Sequence, residues 1–488
     1  MSALNDLVCL TSITLNDPVI SRNSVHADVH LKQMDGSEHR FTFTNTYEQQ
    51  LSSRHLPLLR LGFTMPLLNY GLFAKKIQLD FPISTADDAL LNDLNAVFSR
   101  DIFVNKIAHG DNPYILPRFF QKETSITPLD GDPKAKIVPA KVIPDDAITS
   151  SPDPMKVGIL SSGGKDSLLT YGLLKELGAD VFPLYMNESG GHWRTALTAY
   201  QYHQRHEPNT QRVWTNVDRF YTFMLDHLVF IRPDHRRIWH DMYPIRLCIF
   251  PFYIFSLLPI FVDQGIGNVL LGSEFDDLRY EIQYKGISHY FGVYDQHQDY
   301  DVRMNRWYQD RIPGIFQWSA LRNISGLVDQ KILVQRYPVL AKLQRSCHSC
   351  HLKNGKVYPC GKCSKCLGIL LYLLANGSDP TMMNYQKKDI DYFYAHVGAS
   401  SLKLDKDEKD QSFFLLNEKG SVPKVECVDH VEKIHLHPAT CDPGLYPRQF
   451  RSRLLDILEE YTTGYCVLRN GEWVPAERWQ ENTAMQAL

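Results

Sequence analysis

The sequence predicts an α/β protein with a doubly wound parallel sheet, joined to an N-terminal α+β domain, a cysteine-rich knuckle and a small C-terminal lobe. Three observations predict this architecture. From residue 156 onward, apolar strands alternate with helical segments, as in parallel sheets covered by helices on both faces. Three of these strands end in turns rich in glycine or acidic residues. Five of the ten cysteines lie between positions 347 and 366.

The domain organisation follows changes in composition along the 488 residues. Short alternating segments at 25–31 and 41–44 are typical of strands, whereas 90–98 has a helical pattern. The proline-rich stretch 150–154 then marks a boundary. We expect three parts: an N-terminal accessory domain at 1–150, an α/β domain at 154–380 that contains the knuckle at 345–368, and a C-terminal lobe at 381–488.

The composition is that of an ordinary globular protein. Hydrophobic residues make up 44% and charged residues 22%, and the formal net charge is −3. This charge balance disfavours nucleic acid as a partner. The start of the chain lacks a basic and apolar leader pattern, and the apolar run 247–262 is too short for a comfortable membrane span. We expect a cytoplasmic protein without membrane contact, in which 247–262 forms a buried helix.

A glycine-rich turn between a strand and a helix is the most informative segment. It reads Ser-Ser-Gly-Gly-Lys-Asp-Ser, after the apolar run 156–160 and before the helical pattern 168–177. Such a turn directs backbone N–H groups at an anion, and the helix dipole adds positive potential. Asp166 follows Lys165, so the turn is not a Walker loop, and it lacks the dinucleotide pattern Gly-x-Gly-x-x-Gly. The candidate binding residues are Ser161, Ser162, Gly163, Gly164, Lys165, Asp166 and Ser167.

Two further turns follow predicted strands of the same sheet. The strand at 181–186 ends in Asn-Glu-Ser-Gly-Gly at 187–191, and the strand at 269–271 ends in Gly-Ser-Glu-Phe-Asp-Asp at 272–277. Ligands bind at the carboxyl ends of strands in such sheets, so the three turns are expected to form one crevice. The acidic residues of the last turn, namely Glu274, Asp276 and Asp277, therefore suit a functional role as well as they suit a solvated loop.

The Ser-Gly-Gly-Lys-Asp-Ser segment at 162–167 resembles the PP-loop of ATP pyrophosphatases, whose signature is Ser-Gly-Gly-x-Asp-Ser. The resemblance implies an enzyme that cleaves ATP between the α- and β-phosphates, transfers AMP to a substrate oxygen and releases pyrophosphate. The residues fit this chemistry. Gly163 and Gly164 allow close approach of the phosphates, and Asp166 offers a carboxylate to the accompanying Mg²⁺.

The clustered cysteines predict a metal site. Cys360, Cys363 and Cys366 form a C-x2-C-x2-C pattern, with Cys347 and Cys350 upstream. Zn²⁺ takes four soft ligands in a tetrahedron, whereas the ferredoxin pattern continues with a further Cys-Pro that is missing here. Zinc is therefore favoured over an iron–sulfur cluster. The fourth ligand is open: the larger loop that it closes favours Cys347, and the other candidates are Cys350, His348 and His351.

A PP-loop followed by this cysteine pattern resembles the QueC branch, the 7-cyano-7-deazaguanine synthases, over 156–187, 244–277 and 343–374. The resemblance implies conversion of a deazaguanine carboxylate to a nitrile with ATP and ammonia. It places Arg246 toward the nucleotide or the substrate carboxylate and Asp276 in the pocket wall. The chain departs from the family at Leu247, where Asn is expected, and in the absence of an Arg soon after Cys366.

The resemblance constrains the ATP chemistry more closely than the substrate. QueC-like proteins of this longer kind also occur in bacterial antiphage operons, which makes a target other than free deazaguanine plausible. The substrate is then a small molecule or a protein terminus, the nucleophile is ammonia, an amine or a protein N-terminus, and an operon-encoded partner could bind the N- or C-terminal lobe. The chain is also similar to the MurL-type glutamate epimerases. The similarity lies in the Cys-Gly-x-Cys-x-Lys-Cys segment at 360–366 and, more loosely, in the segment at 294–301. Alternative functions are therefore ATP-dependent epimerisation of a glutamyl peptide, a non-catalytic nucleotide-binding partner protein and RNA modification.

The remaining candidates have simpler interpretations. His435 and His437, near Cys441, are expected on a solvent-exposed strand face. The basic stretch 232–237 suits a solvated loop as well as a phosphate site. The aromatic residues are expected to be core or loop anchors: Trp307, Tyr308, Phe316 and Trp318. In the C-terminal lobe, helices are expected at 390–396 and 450–461, and a charged loop at 402–411.

Overall fold

The computed structural model describes residues 7–120, 125–238, 248–279, 282–290, 292–347, 349–398, 402, 404–417 and 422–481. The strands are β1 Leu10–Leu15, β2 Val19–Ser21, β3 Ser24–Gln33, β4 Glu38–Thr46, β5 Lys76–Ser84, β6 Lys136–Ile143, β7 Asp153–Leu160, β8 Asp180–Asn187, β9 Gln211–Thr215, β10 Ile266–Leu270, β11 Gln283–Tyr284, β12 Ile287–Ser288, β13 Phe316–Trp318, β14 His351–Lys353, β15 Lys356–Tyr358, β16 Ile434–Leu436, β17 Tyr465–Arg469 and β18 Glu472–Ala476.

The α-helices within these ranges are α1 Leu56–Thr64, α2 Thr85–Ile102, α3 Lys165–Glu176, α4 Gly190–His206, α5 Val217–His227, α6 Phe250–Gln264, α7 Gln298–Arg311, α8 Gly326–Arg336, α9 Pro338–Ala341, α10 Ser364–Ala375, α11 Lys387–His396, α12 Lys406–Asn417 and α13 Arg448–Glu459. Among the helices of the described residues, none combines the length and the apolar character needed to cross a membrane.

The chain divides into two compact units, each built from separate stretches of sequence. The first unit comprises Met1–Asp153, Arg212–Ile266 and Leu278–Ile315, and the second comprises Pro154–Gln211, Gly267–Asp277 and Phe316–Leu488. This division differs from the three consecutive domains expected from the sequence. The sequence gives no local sign that the chain returns to the first unit twice, because only tertiary contacts define those segments.

The first unit contains a mixed sheet in the order β9-β4-β3-β1-β5-β6, with β2 on β3. β3 pairs antiparallel with β4 and with β1, whereas β1 pairs parallel with β5, and β5 with β6. α6 packs against α1, and most of its residues are buried, which confirms the buried apolar helix expected at 247–262 in the part that is described. Asn45 and Thr46 of β4 pair with β9, which is why the stretch that begins at residue 212 belongs to this unit.

The second unit contains the sheet β13-β10-β7-β8. The pairings of β7 with β8 and of β10 with β13 are parallel, so the α/β class and the parallel strands are confirmed. α3 and α8 pack against each other in one continuous hydrophobic core. That core extends into the C-terminal segment through Phe393, Phe413 and Phe450, so residues beyond 381 belong to this unit instead of forming a separate lobe.

One local expectation was wrong in the C-terminal segment. The stretch expected as a charged loop at 402–411 contains the start of α12, which buries Phe413 and Leu416 on one side. The helices expected at 390–396 and 450–461 are confirmed as α11 and α13. The aromatic residues Trp307 and Trp318 are buried, as expected for core positions.

Candidate functional site

The glycine-rich turn joins β7 to α3, so it lies at the carboxyl end of a strand and at the amino end of a helix. The serine hydroxyl groups of the turn accept hydrogen bonds from the turn's own backbone. The backbone N–H of Ser162 donates to Ser167 Oγ at 3.3 Å, and the Gly164 N–H donates to Ser162 Oγ at 3.3 Å. The Ser161 N–H donates to the Leu184 carbonyl of β8 at 2.8 Å. The turn is therefore built from its own serines and fixed to the sheet.

The two glycines of the turn have different reasons to be glycine. Gly163 has φ +78°, and a Cβ there would lie 3.1 Å from the Ala196 Cα and the Thr195 carbonyl oxygen of α4. Gly164 has φ −80°, and a Cβ there would meet nothing closer than Ser162 Oγ at 3.4 Å. Packing and backbone conformation thus require glycine at position 163. At position 164 the fold alone has room for a methyl group.

Four charged side chains meet beside the turn. Lys165 Nζ forms ion pairs with Asp166 and Glu274, and lies 3.4 Å from Asp329 Oδ2. One oxygen from each of the three carboxylates lies within 4.8 Å of the others, an arrangement that could hold a metal ion. Asp329 is completely buried, and its Oδ1 has no hydrogen-bond partner among the described residues. A carboxylate in that state favours a cation close by.

The environment shifts the pKa of each member of this group. Burial would lower the pKa of Lys165, but the charges of Asp166, Asp329 and Glu274 outweigh burial and raise it well above its usual value. Burial likewise opposes ionisation of Asp166, yet the adjacent Lys165 ammonium holds the pKa of that carboxyl below its usual value. Burial raises the pKa of both Glu274 and Asp329. Lys165 alone therefore does not keep all three carboxyl groups ionised, and a further cation would favour the ionised forms of Glu274 and Asp329.

The end of β10 brings the second predicted turn to the first. A Cβ on Gly272 would lie 2.7 Å from the Cβ of Asp166, so glycine is required where the two turns touch. Glu274 of the same turn reaches Lys165. The third predicted turn, at 187–191, leads into α4, whose Ala196 packs against Gly163. The turn at 272–277 therefore meets the glycine-rich turn directly, whereas the turn at 187–191 is joined to it through α4.

α12 adds further acidic groups that the sequence did not predict. The Gly326 N–H at the start of α8 donates to Glu408 Oε1 at 2.7 Å, and the Tyr372 hydroxyl donates to Glu408 Oε2. Burial, together with Glu408, Asp276 and other nearby carboxylates, raises the pKa of Asp405 to about 8. Asp276, which the resemblance places in the pocket wall, is half-buried and lies near Asp405. Helix α12 was expected as a loop, so its contribution could not be foreseen.

The cysteines form a second centre. The sulfur atoms of Cys347, Cys360, Cys363 and Cys366 lie within 4.8 Å of one another. Cys360 Sγ is 3.8 Å from Cys366 Sγ, and Cys363 Sγ is 3.5 Å from Cys347 Sγ. Four thiolates held tetrahedrally at about 2.3 Å from a zinc ion would be about 3.8 Å apart, so these residues could bind zinc. Cys350, the other candidate for the fourth position, is not in this group.

The local fold explains why these four sulfurs meet. β14 and β15 form a hairpin whose Asn354 and Gly355 both have positive φ, as a tight two-residue turn requires. The Cys363 N–H donates to Cys360 Sγ at 3.4 Å, and the Cys366 N–H donates to Cys363 Sγ at 3.5 Å. Cys363 caps the amino end of α10. N–H groups and a helix amino terminus directed at sulfur favour the thiolate form.

The cysteine centre and the glycine-rich turn are physically connected. The backbone N–H of Arg345 donates to the Gly163 carbonyl at 2.9 Å, two residues before Cys347. The Arg345 side chain donates to the Val357 carbonyl of β15 at 2.8 Å. Ser346 Oγ would lie 3.9 Å from a Cβ on Gly164. The segment that leads into the cysteine centre thus forms part of the wall of the turn.

Other sequence candidates have different positions. Arg246 and His348 lie outside the described residues. The segment at 294–301 belongs to the first unit, where Asp295 Oδ2 accepts from the Ile249 and Phe250 N–H groups at the start of α6. His435 was expected to be exposed. It is fully buried, because its ring stacks on Phe275 with centroids 3.6 Å apart.

The sequence missed several residues of the site. Asp329 lies in the first turn of α8 and belongs to no motif, so only the packing of α8 on α3 reveals it. Asp405 and Glu408 come from the segment that was expected as a loop. In comparisons with known proteins, no family model, no curated protein and no solved structure matches this chain.

Proposed function

We propose that this protein is an ATP-dependent enzyme that produces AMP and pyrophosphate at the turn formed by 161–167. The observation that carries the proposal is the position of Lys165 and Asp166. They stand at the start of α3, next to two further carboxylates, in a turn with the residue order of a PP-loop. The sequence of this turn resembles a PP-loop, and the charged side chains that meet beside the turn suit the chemistry of that loop.

The turn suits a polyphosphate for electrostatic reasons. The amino end of α3 supplies positive potential, and its N–H groups can donate to phosphate oxygens. The Lys165 ammonium would pair with the phosphates once they enter. Asp166, with Glu274 and Asp329, would hold Mg²⁺, which supplies charge neutralisation for the pyrophosphate leaving group. A magnesium ion there would favour the ionised forms of Glu274 and Asp329, which Lys165 alone does not maintain.

The proposed reaction has two steps. A carboxylate or amide oxygen of the acceptor attacks the α-phosphorus of ATP, and the bond to the oxygen that bridges the α- and β-phosphates breaks, with its electrons leaving on pyrophosphate. When a carboxylate has been adenylated, a nitrogen nucleophile attacks the activated carbon and AMP leaves with the electrons of the carbon–oxygen bond, which gives an amide. When an amide oxygen has been adenylated, the amide nitrogen loses its remaining protons as AMP leaves with the electrons of the same bond, which gives a nitrile. The protein contributes mainly positioning and charge stabilisation, with Lys165 beside the departing pyrophosphate.

The acceptor that we propose is a deazaguanine-type carboxylate or a related group, as the QueC-like sequence pattern implies, with nitrile or amide formation or ligation as the outcome. The cysteine centre supports the resemblance to this family, because it lies next to the glycine-rich turn. The backbone N–H of Arg345, two residues before Cys347, donates to the Gly163 carbonyl. We propose that it holds a structural zinc ion. Four thiolates leave no open coordination position, so the metal would shape the wall of the site without taking part in the chemistry.

The first experiment mixes the purified protein with ATP, Mg²⁺ and a panel of acceptors, each with ammonia or an amine. We expect pyrophosphate and AMP in equal amounts, with mass spectrometry identifying the acylated product. ADP as the main nucleotide product would refute the proposal. Inversion at the α-carbon of a glutamyl peptide would instead establish the epimerase alternative. Binding of ATP without any turnover across the panel would favour a non-catalytic nucleotide-binding protein.

A pair of glycine variants tests whether the turn binds phosphate. Gly164→Ala adds a methyl group where the fold has room, so we expect unchanged stability and at least about a tenfold loss of ATP affinity. Gly163→Ala places alanine at φ +78° against α4, so we expect a stability loss of about 1–3 kcal/mol. Calorimetric titration with ATP and urea unfolding measure the two effects. Normal ATP affinity in Gly164→Ala would show that phosphates do not approach this turn.

A further inference from the structure

A second group of metal-ligating side chains lies in the second unit. Asp277, Asp407 and His430 each present one ligand atom, and these atoms lie within 4.8 Å of one another. They come from three separate stretches: the turn after β10, the first turn of α12 and the 3-10 helix at Asp429–Glu432. Asp277 and His430 are buried, and Asp407 is half-buried. None of the three belongs to the group around Lys165.

A chain of hydrogen bonds fixes the ring of His430. His435 Nε2 lies 3.1 Å from His430 Nδ1, and the backbone N–H of His435 donates to the Asn323 carbonyl at 2.8 Å. The hydrogen bond at Nδ1 holds the ring of His430 in place, whichever of the two nitrogens carries the proton. Ligating histidines are oriented in this way, by a hydrogen bond from the nitrogen that does not bind the metal.

The other nitrogen of His430 faces an acceptor. His430 Nε2 lies 2.9 Å from Asp407 Oδ2. Either a proton or a cation can therefore lie between this nitrogen and the carboxylate, and a cation held by Nε2 and Asp407 Oδ2 would take the place of that proton. Asp277 completes the set, and its Oδ1 accepts from the Trp473 indole N–H at 3.1 Å.

The surrounding charge favours a cation over a proton alone. Asp405 lies close to the ligands Asp277 and Asp407, so a further carboxyl group surrounds the site. One imidazole nitrogen and two carboxylates suit Mn²⁺, Fe²⁺, Co²⁺ or Zn²⁺ better than Ca²⁺, which prefers more oxygen ligands. Three protein ligands also leave coordination positions open. We propose that Asp277, Asp407 and His430 bind a divalent transition-metal ion, independently of whether the chain uses ATP.

The test counts Mn²⁺ sites on the full chain by electron paramagnetic resonance of free Mn²⁺, without nucleotide. Every variant also carries Asp166→Asn, so that the group beside the glycine-rich turn does not contribute. We expect one bound Mn²⁺ in this background. His430→Gln and Asp407→Asn should each weaken its binding by at least about tenfold. The matched control His437→Gln, in the same segment but outside the group, should bind as the background does.

Two results would overturn the proposal. The first is no bound Mn²⁺, Co²⁺ or Zn²⁺ beyond the cysteine centre in the Asp166→Asn background. The second is that the Asp166→Asn protein binds Mn²⁺ with the same affinity whether or not it also carries His430→Gln. That result would mean that His430 and Asp407 form an ion pair without a metal ion. A stabilisation assay guards against misfolding: Mn²⁺ should raise the melting temperature of the His437→Gln protein and not that of folded His430→Gln. Failure of ATP turnover has no bearing on any of these readouts.

Discussion

Acid should weaken the second unit through His203, a buried histidine of α4. Its Nδ1 lies 2.8 Å from the Tyr185 hydroxyl, and its Nε2 has no hydrogen-bond partner among the described residues. Burial lowers the pKa of His203 from 6.5 to about 4, against the opposing effect of Glu207. As the pH falls, the unfolded chain therefore takes up a proton at this position before the folded protein does.

The sign and size of the effect follow from proton linkage. The folded pKa lies below the unfolded pKa, so the contribution of His203 to stability is complete above pH 6.5 and is lost as the pH falls toward the folded value. Between about pH 7.5 and about pH 5, this linkage costs about 2 kcal/mol. The full loss below the folded pKa is about 3 kcal/mol.

The assay is urea unfolding of the wild type and of His203→Gln at both pH values. The glutamine keeps a polar partner for Tyr185 and removes the titration. We expect the wild type to lose about 2 kcal/mol more than the variant over this interval. His206→Gln, an exposed neighbour in the same helix, should behave as the wild type. An equal loss in the wild type and His203→Gln would refute the claim that burial keeps this ring neutral.

Two further predictions concern the cysteine centre and the turn. Cys363→Ser should lose the zinc that we propose, with metal content falling from about one to about zero per chain, whereas Cys350→Ser should keep it. Elemental analysis of protein purified without chelators decides this, and zinc loss in Cys350→Ser would contradict the assignment of Cys347. Asp166→Asn should slow pyrophosphate release by about 10²-fold or more while leaving the circular dichroism spectrum unchanged. A near-normal rate would show that Asp166 does not hold the metal.

The sequence predicted those parts of the fold that have a local pattern. The strand, turn and helix around 156–177 are confirmed, as are the strands that became β8 and β10. Helix α12 was missed, because its first turns read as a run of charged residues and its apolar face begins only near Phe413. Charge runs of that kind are typical of loops and of solvated helix faces alike.

The candidate site could be predicted only where it has a motif. The glycine-rich turn and the cysteine spacing carry their own chemistry, whereas Asp329 lies in an ordinary helical pattern and becomes recognisable only when α8 packs on α3. The preference for Cys347 over Cys350 rested on loop length, and only the sulfur positions distinguish the two. His435 illustrates the opposite error. Alternation suggested exposure, but a stacking partner 160 residues earlier, Phe275, covers the ring.

The order in which the ribosome makes these residues has a consequence for the newborn chain. The glycine-rich turn emerges early, but the carboxylates around Lys165 come from positions up to 329, and Glu408 lies later still. Until those stretches are translated, Lys165 lacks the partners that hold it in place. A truncated or stalled chain therefore carries the glycine-rich turn without its neighbours. On the function that we propose, turnover should begin only when translation is nearly finished, so incomplete chains would not consume ATP.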